Sequence, residues 1–184
     1  MRDGHFIVKP CLAKRGLMPV KKVQLPFTDE LISTLQIGDQ LALTGIIYTA
    51  RDQAHQRLVQ SLQKGEPIPS FSPSPILYYA GPTPAKPGEP IGACGPTTSS
   101  RMDPFTPYLM KNGFKVCIGK GDRGEAVQEA IRQCKGLYLS ALGGCGALYQ
   151  SCVKSSRCIG YHDLVSEAIY ELEIEDFPVF VSWV

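Results

Sequence analysis

The sequence predicts one α/β domain in which strands alternate with helices around a mixed, largely parallel sheet. Segments rich in Val, Ile, Leu and Tyr alternate along the chain with segments whose apolar residues recur at helical spacing. Several segments begin at a Thr or Asp or end at a Gly, the residue types that cap helices. A length of 184 residues is enough for one sizeable core and does not require a second domain, so residues 1–184 are predicted to form a single domain.

The first predicted elements are a strand, a short helix and a second strand. Residues 21–25 are typical of a strand, and a helix is predicted to begin at Thr28, whose hydroxyl can cap its first turn. This helix ends before Gly38, and residues 40–48, dominated by Leu, Ala, Ile and Thr, predict the next strand. The sequence leaves open whether strands in this N-terminal region pair antiparallel.

A longer helix and a loop-rich segment come next. Thr49 and Asp52 form a Thr-x-x-Asp pair, typical of a helix start, and the helix is predicted to continue to about Lys64 and to end at Gly65. The stretch that follows, to residue 90, is rich in Pro, Ser and Gly. It predicts long loops around one strand at residues 76–80.

The second half of the chain continues the alternation. A strand at residues 115–118 leads into a helix that Asp122 and Glu125 are predicted to cap and that ends at Gly136. The buried face of this helix is predicted to contain Ala126, Val127, Ala130, Ile131 and Cys134.

The C-terminal part is predicted to contain two more strands. They are a strand at residues 137–142 and a final strand at residues 179–184. A helix at residues 147–154 and a short segment near Tyr161 are predicted between them. Helices between successive strands favour parallel pairing in most of the sheet.

Charge and hydropathy exclude two classes of partner. The formal net charge of +2 does not support the broad basic surface of a nucleic-acid-binding protein. No apolar run approaches the roughly 20 residues that span a bilayer, and residues 1–9 lack the apolar core of a signal peptide. We therefore expect a cytoplasmic protein without a nucleic-acid or membrane partner.

The seven cysteines do not form a recognisable metal-binding or disulfide pattern. They are odd in number and scattered, which is typical of thiols in a reducing compartment, and no two are separated by only two residues. Iron–sulfur clusters are held by cysteine thiolates, so a cluster is the alternative interpretation, but the spacing favours small buried hydrophobic residues. We expect this chain to hold no metal.

The first candidate site motif is the helix start at Arg51, Asp52 and His55. Arg51 falls on the apolar stripe of the helix, and a cation in the first turn opposes the helix dipole, so an anionic partner is expected. That partner is either a carboxylate of the protein or a bound ligand. His55 lies one turn later on nearly the same face, where it either transfers a proton or forms a structural hydrogen bond.

The second and third motifs also combine turns with cations. Thr97, Thr98 and Arg101 follow a Gly-Pro turn and can offer hydroxyls, backbone amides and a guanidinium to one carboxylate, or simply begin a capped helix. Lys120 lies between two glycines at a strand-to-helix turn, where ligands of α/β proteins gather. The glycine-rich residues 143–146 are interpreted as close backbone packing.

Together these motifs, with others further along, resemble the β-subunit of class I fumarases and tartrate dehydratases. The resemblance runs in order along nearly the whole chain, and five ordered motifs are far more specific than any one of them. They are Leu43-Thr44-Gly45 with Tyr48-Thr49-Ala50-Arg51-Asp52-x-Ala54-His55-x-Arg57, then Gly95-Pro96-Thr97-Thr98-Ser99-x-Arg101-Met102-Asp103, Ile118-Gly119-Lys120-Gly121, Tyr161-x-Asp163-Leu164-x-x-Glu167-Ala168-Ile169 and Asp176-Phe177-Pro178.

The resemblance implies a swivelling β/β/α domain and a hydro-lyase that adds water to, or removes it from, a small dicarboxylate. It implies that a partner α-subunit holds a [4Fe–4S] cluster, in a heterotetramer of two α and two β chains, and that the reaction belongs to the tricarboxylic acid cycle. The family includes fumarases and tartrate dehydratases, so the substrate stays open between them. A non-catalytic dicarboxylate-binding or scaffold module is the alternative.

The resemblance also implies roles for individual residues. Carried over by position, Arg51, Arg101 and Lys120 bind the substrate carboxylates, and Thr97 acts as the catalytic base, alone or with an aspartate of the partner subunit. A threonine hydroxyl is a poor base at neutral pH and needs nearby cations to stabilise its alkoxide, which Arg101 and Lys120 can supply. Asp52, His55 and Thr98 are expected to support these residues.

Overall fold

The fold is described from a computed structural model, which describes residues 19–184. The strands are β1 Lys21–Gln24, β2 Gln40–Thr49, β3 Ile76–Tyr78, β4 Val116–Gly119, β5 Leu137–Ser140, β6 Val153–Gly160 and β7 Ile169–Trp183. The helices are α1 Asp29–Thr34, α2 Asp52–Lys64, α3 Thr106–Lys111, α4 Glu125–Cys134 and α5 Gly146–Ser151. Two further segments, Ser99–Met102 and His162–Glu167, are 3₁₀ helices.

One mixed sheet organises the described part of the chain. Its strand order is β1-β2-β3-β4-β5-β7-β6, and β1 to β5 are mutually parallel neighbours. The long strand β7 runs antiparallel to β5, β6 and β2. Because β7 pairs with both β2 and β5, the sheet curls back on itself. Antiparallel pairing thus includes the N-terminal strand β2, through β7, while β1 and β2 pair parallel with each other.

Two hydrophobic clusters cover the two faces of the parallel strands. Since side chains alternate along a strand, Ile76 and Tyr78 of β3 belong to one cluster and Leu77 to the other. The first cluster packs the parallel strands against β7 and α1. The second packs them against α2, α3 and α4 through residues such as Leu58 and Ile131. The strands thus lie between β7 and a layer of helices.

Most predicted elements are confirmed. The first two strands, the helix after Thr28 and the strands at β3, β4 and β5 lie where the sequence places them, within a few residues. The Thr28 hydroxyl accepts a hydrogen bond from the amide of Leu31 at 3.2 Å, as a capping residue does. Gly65 ends α2 in the left-handed region at φ 67°.

Both Thr/Asp caps predicted for the longer helices are wrong. The α2 helix has Arg51 at its N-cap position with no side-chain cap. The Thr49 hydroxyl instead bonds to the carbonyl of Ala168 and the amide of Tyr170, around the start of β7. The α4 helix has Gly124 at its N-cap position, and the amide of Gly124 donates to Asp103 Oδ2 at 2.7 Å. Before α2, residues distant in sequence bind the hydroxyl that was predicted to cap the helix. At the start of α4, a distant carboxylate accepts the hydrogen bond of the backbone amide.

The C-terminal region departs most from prediction. The helix predicted for residues 147–154 ends at Ser151, and residues 153–160 form β6, which the sequence did not reveal. The final strand begins at Ile169 rather than residue 179. On α4, Val127, Ala130 and Ile131 are buried as predicted, but Ala126 is exposed and Cys134 is partly buried. Within residues 19–184, no helix is long and apolar enough to cross a membrane.

Candidate functional site

The candidate site lies at the carboxyl ends of β2, β3, β4 and β5, here called the carboxyl edge. These four strands are parallel neighbours, so the residues that follow them meet at one side of the sheet. Arg51 follows β2, Gly81 follows β3, Lys120 follows β4 and Gly143 follows β5. Neighbouring strands are about 4.8 Å apart, so the backbones of Arg51 and Lys120 begin about 10 Å apart, with β3 between them.

Residues 96–99 cross this edge and bring the threonines to it. The amide of Thr97 donates to Tyr79 O at 2.7 Å, and Thr98 pairs with Lys120 in a parallel bridge. The amide of Ser99 then donates to Lys120 O at 2.9 Å. Thr97 is partly buried and Thr98 is exposed. The predicted threonine motif and the predicted lysine turn are therefore direct neighbours.

Glycine is required where this crossing packs onto β4. A Cβ built on Gly119 would overlap Ser99 Oγ and would lie 2.9 Å from Tyr79 Cδ2. A Cβ on Gly143 would lie 3.3 Å from Lys120 Cδ, so the lysine stem packs over the backbone that follows β5. Side chains thus approach Gly119 and Gly143 closely. The close backbone packing predicted for residues 143–146 is seen at Gly146, where a Cβ would lie 3.3 Å from the Gly95 amide nitrogen, but Gly144 has open space around it.

The two predicted arginines share one carboxylate. Arg101 Nε donates to Asp52 Oδ1 at 2.9 Å, and Arg51 Nε lies 3.4 Å from Asp52 Oδ2. The side chains of Arg51 and Asp52 are about a quarter exposed, while that of Arg101 is 50% exposed. The anionic partner expected for Arg51 is thus a carboxylate of the protein. Two guanidiniums around one carboxylate, open to solvent on the Arg101 side, are suited to binding a second carboxylate.

Sequence reasoning missed a second carboxylate at Arg51. Glu167 Oε1 lies 3.4 Å from Arg51 Nη2, although the two residues belong to distant parts of the chain. Glu167 stands in one of the motifs that carry the family resemblance, but its spacing gives no indication of which helix it contacts. On the other side, a Cβ on Gly81 would lie 2.8 Å from Arg51 Nη1.

His55 is completely buried behind Arg51. Its Nδ1 lies 3.0 Å from Arg51 O, a carbonyl acceptor, so Nδ1 carries the proton, and Nε2 has no hydrogen-bond partner. The ring packs edge-on against Tyr79 at 5.0 Å and near Phe105. The pKa of His55 is lowered from 6.5 to about 4, mainly by burial, with the nearby Arg123 cation acting in the same direction and the hydrogen bond to Arg51 acting against both. His55 is therefore neutral at physiological pH and holds the backbone of Arg51.

Arg123 links the two loops of the site, the threonine segment and the Lys120 turn, through buried contacts. Its side chain is fully buried, with Nε donating to Asp103 Oδ1 at 2.8 Å and Nη2 donating to Thr106 Oγ1 at 2.7 Å. The guanidinium also packs over the ring of Tyr138 at 4.9 Å. Asp103 ends the threonine segment, whereas Arg123 follows the Lys120 turn. Their ion pair therefore fixes the two segments relative to each other.

The described cysteines do not fit an iron–sulfur cluster. Residues 19–184 contain no group of three His, Cys, Asp or Glu side chains placed to hold a metal ion. Burial raises the pKa of the Cys94 thiol to about 12 and also raises that of Cys152, which disfavours the thiolate form that ligates iron. The six cysteines of this part of the chain are free thiols.

Comparison with known proteins adds named relatives. The chain is 38% identical over 159 residues to "Fumarate hydratase 1, mitochondrial" of Leishmania major, an alignment covering 85% of this chain and 29% of the relative. It is 37% identical over 152 residues to "Fumarate hydratase class I, anaerobic" of Escherichia coli (strain K12), covering 82% and 28%. The chain thus spans less than a third of the length of these enzymes.

In contrast to these two relatives, a third relative is aligned over most of its own length. The chain is 33% identical over 161 residues to the Methanocaldococcus jannaschii protein named "Putative L(+)-tartrate dehydratase subunit beta", which covers 84% of this chain and 83% of that one. The family profile described as Fumarase C-terminus matches residues 7–183. With nearly every residue matched, the chain belongs to the Fumarase C-terminus family.

Proposed function

We propose that this chain is the substrate-binding β-subunit of a hydro-lyase that adds water to, or removes it from, a small dicarboxylate. The observation that carries the proposal is the pair of arginines, Arg51 and Arg101, around Asp52 at the carboxyl edge. Lys120 lies along the same edge, beside the threonine segment. The family and the names of the relatives support the reaction class.

In this proposal the cations hold the two ends of the substrate. Arg51 and Arg101 bind one carboxylate, which displaces part of their interaction with Asp52, and Lys120 binds the other. The backbones of Arg51 and Lys120 start about 10 Å apart on one edge, from which both long side chains can reach a short dicarboxylate bound over that edge. Fixing both ends places the reacting carbons at one position, which is where orientation lowers a barrier.

Thr97 is proposed as the group that moves the proton. Its backbone is fixed by the bond to Tyr79 O, and the next residue, Thr98, pairs with Lys120, so Thr97 lies at the edge next to the Lys120 turn. The hydroxyl is a poor base by itself, and the neighbouring cations are what would stabilise its alkoxide. Thr98 and Asp52 support this arrangement by fixing the lysine turn and Arg101.

We assign the [4Fe–4S] cluster to a partner α-subunit, in a heterotetramer with two copies of each chain. When bound there, the cluster supplies a Lewis acid to the substrate. The name of the Methanocaldococcus relative, a β-subunit, supports a separate partner. We also assign the fold to the swivelling β/β/α type, supported by parallel strands that lie between β7 and a layer of helices.

The proposal is tested with the complete enzyme, purified anaerobically with its cluster-bearing partner. We expect turnover of fumarate or of tartrate, with the comparison of the two deciding the substrate. Arg101→Met should reduce this turnover without preventing assembly. A complex that binds these dicarboxylates but converts neither would instead support the non-catalytic binding module.

A further inference from the structure

Glu167 contacts the start of α2 from a distant part of the chain. Its Oε2 accepts a hydrogen bond from the amide of Gln53 at 2.8 Å, across 114 positions of sequence. Its Oε1 lies 3.4 Å from Arg51 Nη2. One carboxylate therefore satisfies a backbone donor of the first helical turn and also contacts the guanidinium at the N-cap position.

Glu167 performs the capping role that the sequence suggested for Thr49. The N-cap residue of α2, Arg51, provides no side-chain cap of its own. The Thr49 hydroxyl lies 3.4 Å from Ala168 O, to which it donates, and accepts from the amide of Tyr170 at 3.0 Å. Both of these bonds hold the chain immediately after Glu167. Thr49 thus fixes the segment that presents Glu167 to the helix.

The backbone before Glu167 is strained, and the two Thr49 hydrogen bonds directly after Glu167 hold it. Tyr161 and Val165 adopt positive φ angles of 57° and 52°, and for a β-branched residue this region is unfavourable. Val165 is 68% exposed, so its own burial does not offset this cost. At its other end the segment pairs with α2 only at the surface. Arg57 Nη1 and Nη2 donate to Asp163 at 2.8 Å, but the two side chains are 39% and 63% exposed, so this pair contributes little to holding the backbone.

Contacts on three sides consequently restrict the orientation of the Arg51 guanidinium. Asp52 and Glu167 contact it on two sides, and the backbone of Gly81 lies so close on the third that a Cβ there would be 2.8 Å from Nη1 and 2.9 Å from Cδ. Each contact to a carboxylate is long for a hydrogen-bonded ion pair. The carboxylates thus orient the guanidinium while leaving donors available to a further anion.

We propose that Glu167 is a positioning residue that holds Arg51 in the orientation in which it binds the substrate carboxylate. The inference rests on the proposed function of Arg51 and identifies how that arginine is oriented. Glu167 itself does not touch the substrate. Its influence on the reaction passes through Arg51.

The decisive variant is Glu167→Gln in the complete enzyme. The amide oxygen can still accept from the Gln53 amide, but the negative charge beside Arg51 is lost. We expect the Michaelis constant for the dicarboxylate to rise about three- to tenfold, with kcat changed less than about twofold. Asp163→Asn is the matched control, because it removes a carboxylate from the same segment that pairs with a different arginine of α2. It should leave the Michaelis constant unchanged.

A double-variant cycle separates positioning from a general structural effect. In an Arg51→Met background, Glu167→Gln should cause no further loss in kcat/KM, because its effect passes through Arg51. An equal loss in both backgrounds, a lowered Michaelis constant for Glu167→Gln, or an equal rise for Asp163→Asn would overturn the inference.

A second measurement does not depend on turnover. The ¹⁵N-labelled chain gives a side-chain Nε–Hε resonance for Arg51, assigned by its loss in Arg51→Met. Glu167→Gln should shift this resonance and Asp163→Asn should not. An enzyme without dicarboxylate turnover would refute the proposed function alone, whereas an Arg51 resonance unchanged by Glu167→Gln would refute the role of Glu167.

Discussion

Individual side chains in the site differ in what they are expected to contribute to the reaction. Arg101 is half exposed and donates to Asp52, so it is available to a ligand. Thr97 is partly buried and tied through its amide to Tyr79. In the proposed function a carboxylate clamp acts on ground and transition states alike, whereas a proton-transferring hydroxyl acts only while the proton moves.

This difference predicts distinct kinetic effects in the reconstituted enzyme. Arg101→Met should raise the Michaelis constant and lower kcat, because the arginine both binds the substrate and orients it. Thr97→Val should mainly lower kcat, by about 100- to 10,000-fold. Steady-state kinetics of the assembled complex, with cluster content checked, measures both. Near-normal kcat in Thr97→Val would assign the proton transfer to a residue of the partner.

Buried His55 predicts a specific pH dependence of stability. Its folded-state pKa of about 4 lies below the ordinary value of 6.5, so the unfolded chain takes up the proton first as pH falls. The contribution to stability is complete above pH 6.5 and is lost as pH falls towards 4. From this shift we expect a loss of about 2 to 3 kcal/mol in the free energy of unfolding between pH 7 and pH 4.5.

Urea unfolding of the chain at the two pH values measures this effect. His55→Gln is the matched variant, since it cannot titrate and its amide can still donate to the Arg51 carbonyl. The carboxylates titrate equally in both proteins, so the difference between them isolates the histidine. An identical pH dependence in the two proteins would show that His55 is not buried as a neutral ring.

At the level of elements, the two loops of the site depend on a buried ion pair. Arg123 and Asp103 link the turn before α4 to the threonine segment, and Asp103 also accepts from the amide of Gly124. Removing one partner of a buried pair leaves the other charge uncompensated. We therefore expect the loops that carry Thr97 and Lys120 to depend on Arg123, whose side chain is fully buried.

Replacing this cation should be far more costly than replacing an exposed one. Arg123→Met should lower the free energy of unfolding by about 3 to 5 kcal/mol. Arg157→Met is the control, since Arg157 pairs with Glu171 at 2.8 Å but its side chain is 72% exposed, and its loss should cost about 1 kcal/mol or less. Denaturant unfolding of the two variants compares them. An equal loss in the free energy of unfolding for the two variants would show that the Arg123–Asp103 pair contributes no more to stability than the exposed pair.

Local sequence patterns predict a helix end correctly where the capping residue contacts only its own turn of the helix. Thr28 caps α1, and Gly65 ends α2 through a left-handed backbone, because each acts on its own turn of helix. The capping pairs predicted for the starts of α2 and α4 are wrong. Glu167 and Asp103, far away in sequence, satisfy the helical amides there. Strand β6 was missed because its residues alternate weakly between buried and exposed.

On the scale of the whole molecule, we expect the proposed reaction to need a second chain. In the proposal this chain supplies the cations and the hydroxyl, and its described cysteines do not fit a cluster. We expect the purified chain to fold cooperatively and to show no fumarate or tartrate turnover until the partner is added. Brown, iron-loaded protein with turnover after anaerobic purification of this chain alone would refute the two-chain arrangement.

The sequence by itself determined the family, the α/β class and the identity of the candidate cations. These follow from short motifs and local periodicity, which need no knowledge of what lies across the fold. The tertiary structure decided how these motifs meet. Parallel pairing of β2 to β5 brings Arg51 and Lys120 to one edge, and the antiparallel return of β7 carries Glu167 to Arg51. Such long-range contacts depend on strand order and chain crossing, which local residue patterns do not encode.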